Sequence, residues 1–97
     1  MARISTDSFL RFCESLDGQE LSTLARHRKF KVRVVDDGLE FTPHISKKPR
    51  HHSRQYVDGV LDHFEQSGSF MVTQYSGYTA NASYMLALID RYVKRAG

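Results

Sequence analysis

The sequence predicts an α+β fold: a small antiparallel β-hairpin or three-stranded sheet packed against three to four helices. Three observations carry that reading. Apolar residues recur at helical spacing near both ends of the chain and again after residue 53. Between these stretches the period changes from 3.6 to 2 over residues 29–34. The tripeptide Asp36-Asp37-Gly38 then supplies a hairpin turn signal. The expected order is α-α-β-β-α-(β)-α, the sheet being backed by helices.

The first helix is expected over residues 7–16. Phe9, Phe12, Cys13 and Leu16 fall at i, i+3, i+4 and i+7, the spacing of one buried stripe. Ser5, Thr6 or Asp7 can cap its start, and Asp17-Gly18 can end it. A short second helix is expected over residues 19–27, with Leu21, Leu24 and Ala25 on its apolar face. Phe30, Val32 and Val34 then alternate with Lys29, Lys31 and Arg33, which describes a half-buried strand whose outer face is cationic. The return strand is expected over residues 39–45, with Leu39, Phe41 and Ile45 inward and Pro43 arguing for an edge position.

Residues 46–52 read as a basic loop, kept from helix by Pro49. Ser53 is placed to cap a helix over residues 54–66, whose stripe is Val57, Val60, Leu61 and Phe64. Ser67-Gly68 stops it. Residues 69–75 suit a third strand or an extended loop, and Ser76-Gly77 a turn. Thr79 or Asn81 caps a last helix over residues 82–95, with Met85, Leu88, Ile89 and Tyr92 inward.

A chain of 97 residues has room for one modest core, so residues 1–97 are read as a single domain. No apolar run approaches the ~20 residues that span a bilayer, and residues 1–7 lack the apolar region of a secretory signal. A cytoplasmic protein is therefore expected, with no membrane partner. The single cysteine, Cys13, excludes an intrachain disulfide and reads as a small buried hydrophobe. No cofactor and no metal site are expected, because His44, His51, His52 and Cys13 show no ligand spacing.

Charge is the informative property. The net charge is +3, but residues 26–54 hold nine of the 14 Lys and Arg against three carboxylates, so that segment carries +6 and the remainder −3. Segregation of this kind builds a field that steers a polyanion onto one face. Three groups of residues express it. Lys29, Lys31 and Arg33 stand roughly 6.6 Å apart along a strand, near the spacing of phosphates on one nucleic-acid strand. The alternative for them is an edge strand defended by charge. Lys47, Lys48, Arg50 and Arg54 fall within eight residues and can supply phosphate contacts. Arg50 and Arg54 have the fork for bidentate contacts, and the alternative for the segment is a solvated loop. Tyr75, Tyr78 and Asn81 belong to an uncharged, aromatic stretch suited to stacking and base-edge contacts, or to a protein interface.

The function expected is non-catalytic binding of nucleic acid, DNA ahead of RNA. The alternatives are a protein-docking accessory module of phage or mobile-element type and, behind it, a small RNase that would use His51 and His52 as acid and base. Adjacent histidines in a loop are not preorganised for that role, so enzymatic activity is not the expectation.

Overall fold

A computed structural model describes residues 4–75 and 81–95. Among them are three α-helices and one four-stranded antiparallel sheet of strand order β1-β2-β3-β4. The elements are α1 (Thr6–Glu14), β1 (Glu20–Ser22), β2 (Lys29–Val35), β3 (Gly38–Pro43), β4 (Arg50–Ser53), α2 (Arg54–Ser67) and α3 (Ala82–Lys94), with a 3-10 turn at Val72–Tyr75 before α3. The architecture is α+β with an antiparallel sheet, as the periodicity predicts, but the order of elements differs. No described helix is long and apolar enough to cross a membrane.

The alternation in β2 sets the design. Phe30 and Val32 are buried while Lys29, Lys31 and Arg33 are exposed. Register carries that alternation across the sheet: Leu21 pairs with Phe30, Val32 with Phe41, and Leu39 with His52. One face is therefore apolar, and the helices pack on it, α1 against β2, α2 against β3 and β4, and α3 against β1. The core joins this face to Phe9 and Cys13 of α1, Val57, Val60 and Leu61 of α2, and Met85, Leu88 and Ile89 of α3. Tyr84 adds an aromatic layer, its ring stacked on Phe41 with centroids 5.3 Å apart and tilted on Phe30 at 4.9 Å.

Five expectations need correction. Residues 20–22 are a strand, not the opening of a helix. Three apolar residues in the 19–27 window cannot specify a helix, and pairing of Leu21 with Phe30 prevails. Leu24 and Ala25 are left exposed in the turn that follows. The supposed loop at 46–52 contains β4, hidden in the sequence because Arg-His-His-Ser has a single buried side chain, that of His52. As a result β3 is an internal strand. Pro43 is tolerated there because β4 pairs only as far as Phe41, and the His44 N–H still reaches the Lys29 carbonyl at 2.9 Å. Ile45 faces solvent, 85% exposed, because the chain turns after Pro43, whose carbonyl accepts from the Lys47 N–H at 2.9 Å. Finally, residues 69–75, expected as a third strand or an extended loop, hold the 3-10 turn at Val72–Tyr75.

The helix ends are closer to expectation. Ser5 caps α1 by accepting from the Ser8 N–H, and Gly68 stops α2 in the left-handed conformation at φ 65°. Ser53 and Asn81 occupy the positions before α2 and α3 without a side-chain capping bond. Thr79 and the Ser76-Gly77 turn lie outside the described residues. Three bonds tie the chain's beginning to α2: Ile4 N–H to Glu65, the Thr6 hydroxyl to Asp58, and Arg54 Nη2 to Asp7 Oδ1 at 2.5 Å.

Candidate functional site

The strand registers divide the candidate cationic side chains between the two faces of the sheet. Lys29, Lys31 and Arg33 stand on the sheet face opposite the helices, as alternation requires. Their neighbours temper them. Glu20 pairs in register with Lys31 and lies 3.6 Å from Lys29 Nζ, while its other oxygen lies 3.3 Å from His44 Nδ1. Glu40 is the register partner of Arg33 on one side and of His51 on the other. Such exposed pairs contribute little to stability, but they lower the field that the stripe presents.

The segment 47–54 separates into three parts. Lys47 adopts a left-handed conformation, φ 55°, and lines a depression on the open sheet face with Lys31, Thr42 and His44. Lys48 is exposed beside it, its N–H on Ser46. Arg50 goes the other way. Its register partner is Phe41, so its side chain emerges on the helix side of the sheet, at the open end of edge strand β4. Arg54 is remote from both, at the start of α2, where Asp7 pairs with it and is itself held below the usual carboxylate range by the Arg54 hydrogen bond and charge. This departs from the expectation of one continuous basic loop.

The aromatic stretch is also redistributed. Tyr75 is fully buried: its hydroxyl donates to the Ser69 carbonyl at 2.5 Å and its ring meets the edge of His63. That ring is not available to stack on a base. Asn81 turns inward, Nδ2 lying 3.5 Å from His52 Nδ1. Tyr78 lies outside the described residues.

Sequence reasoning passed over the residues that surround Arg50. The turn between β1 and β2 is closed by two hydrogen bonds: the Thr23 N–H donates to the Arg28 carbonyl, and the Arg28 N–H donates to the Thr23 hydroxyl, each at 3.0 Å. His27 takes a left-handed conformation, φ 54°, within it. The turn delivers Arg26 and Arg28 to the same end of the molecule as Arg50. The three arginines line a cleft of about 440 Å³ whose other walls include Leu24, Phe70, Val72 and Tyr84. A second depression shares Arg28, Arg50 and Tyr84 and extends to Lys29 and His44. The depression of Lys31 and Lys47 adjoins that one through Pro43 and His44. Together the three are lined by six Lys and Arg and one carboxylate, Glu20. The signal in the sequence was Arg26-His27-Arg28, which reads as a helix C-terminus until the turn is recognised.

The histidines expected of an RNase are not assembled. His51 and His52 are consecutive in β4, so they face opposite sides of the sheet. His51 pairs with Asp37 at 3.2 Å, and His52 is 1% exposed beneath Phe41. Burial pushes the His52 imidazole down to about 4, partly opposed by a hydrogen bond with the Tyr56 backbone. Two groups on opposite faces cannot serve one phosphate as acid and base. Cys13 is buried in α1, and burial pushes its thiol up to about 12, far from a nucleophile's range.

No protein-family model matches the chain, and neither the curated proteins nor the solved structures include a significant match.

Proposed function

We propose that this protein is a non-catalytic nucleic-acid-binding domain, DNA ahead of RNA, and that the polymer follows a basic belt around one end of the sheet. The belt runs from Arg26 and Arg28 through Arg50 and Lys29 to Lys31 and Lys47. The observation that carries the reading is the imbalance in the three adjoining depressions, six fixed cations against Glu20. Of the six, only Lys29 has an ion pair among the described residues. Uncompensated cations along a continuous surface attract a polyanion and bind it by releasing its counterions.

Anisotropy titrations of labelled DNA and RNA from 50 to 200 mM salt test the proposal. With about six phosphates neutralised, the logarithm of affinity is expected to fall against the logarithm of salt with a slope of about −4 to −5. Binding to neither polymer, or binding indifferent to salt, would overturn it.

A second reading, docking onto a larger protein, is favoured by the exposure of Met71 (61%) and Ile45 (85%). An obligate oligomer with no affinity for nucleic acid would select it.

A further inference from the structure

The cleft of Arg26, Arg28 and Arg50 has a property that phosphate binding alone does not use. Leu24, Phe70 and Val72 line it and remain 38%, 38% and 40% exposed, an apolar wall directly beside three cations. None of the three arginines has an ion pair among the described residues, and no carboxylate lines the cleft. Phe70 is held in place by Phe64, ring centroids 5.0 Å apart, and Tyr84 by its stacking on Phe41.

A ligand that complements this cleft needs negative charge and an apolar, flat surface within a few ångströms of each other. A duplex offers the first without the second, because its base faces are stacked inside and only phosphates and groove edges meet a protein. An unpaired nucleotide offers both: its phosphates reach the arginines, and its base can lie on guanidinium planes, aromatic faces and apolar side chains. We infer that this cleft seats an unpaired base, so that the protein prefers single-stranded to double-stranded nucleic acid. The inference rests on the nucleic-acid reading above and narrows its ligand. The open sheet face, with Lys31 and Lys47, would then carry the continuing backbone.

The test compares three fluorescein-labelled DNA probes of equal strand length on the full chain at 50 mM salt: oligo(dT), the same backbone carrying abasic sites, and a duplex. Oligo(dT) is expected to bind about tenfold tighter than the abasic strand, the worth of one base stack, and tighter than the duplex. The neutral double variant L24S/V72S removes part of the apolar wall without touching charge or core. It is expected to narrow the gap between oligo(dT) and the abasic strand while leaving abasic binding within about twofold. Equal affinity for oligo(dT) and the abasic strand, or a preference for duplex, would overturn the single-strand inference and leave the nucleic-acid reading standing. Failure of all three probes, and of a single-stranded RNA of the same length, to bind would overturn both.

Discussion

His51 and His52 are chain neighbours whose imidazoles live in opposite media: His51 pairs with Asp37 at 3.2 Å in water, and His52 is 1% exposed between Phe41 and Tyr56. The relation follows from β4 being an edge strand with one buried side chain, so its single core position is filled by a titratable group.

A pH dependence of stability follows. His52 titrates at about 4 in the folded protein, against an ordinary 6.5 when the chain is unfolded. Above pH 6.5 both states are neutral and the folded state bears no penalty. As pH falls from 6.5 towards 4, only the unfolded state takes up the proton, so stability declines. Between pH 7.5 and 5.0 the loss attributable to this group is about 2 kcal/mol. Urea denaturation at the two pH values checks it, with His52→Gln expected to flatten the difference. Equal wild-type and H52Q slopes would show that His52 is not the group responsible.

Gly38 has no room for a side chain. Its φ is 153°, and a Cβ there would collide with the His52 carbonyl and stand 2.8 Å from the Arg54 nitrogen. Gly38→Ala is expected to cost about 3 kcal/mol. Gly18, at φ 82° with nothing near its missing Cβ, should lose only about 1 kcal/mol on the same change. Denaturation midpoints of the two variants should rank in that order.

Cys13 should be chemically silent in the native protein. It is buried and its thiol is pushed up to about 12. At pH 8 a disulfide reagent is expected to modify it only at the rate of unfolding, with one thiol released promptly in denaturant. Fast modification of the native protein would place the thiol at the surface instead.

The division of the 47–54 cations predicts unequal effects on binding. The double variant R28E/R50E is expected to weaken nucleic-acid binding at least about tenfold at 50 mM salt. Arg54→Glu, at the opposite end of the sheet beside Asp7, is expected to stay within about twofold of wild type in the same anisotropy titration. An equal loss in both would argue for general attraction by net charge rather than for the belt.

How much of this was legible in the sequence depends on how many residues each element has to display a period. β2 shows six residues of strict alternation, 29–34, and α2 a full stripe, and both lie where expected. β1 has three residues and β4 four, too few to show a period, and β4 buries an imidazole where the pattern would call for an aliphatic. For the site, counting charges located the cationic stretch but not its geometry. A strand sends successive side chains to opposite faces, so the fate of Arg50 was decided by its pairing with Phe41. Arg26 and Arg28 became relevant only once the residues around them proved to be a turn. Tyr75 reads as a surface aromatic by its polar company, yet the Ser69 carbonyl satisfies its hydroxyl inside the protein.

The bonds that tie the chain's beginning to α2 join residues 47, 52 and 61 positions apart. While the protein is being synthesised, α1 therefore emerges long before its anchor exists. Its apolar stripe of Phe9 and Cys13 must wait, exposed, until α2 and then α3 have cleared the ribosome. Folding of this domain is accordingly completed only once α3 has emerged.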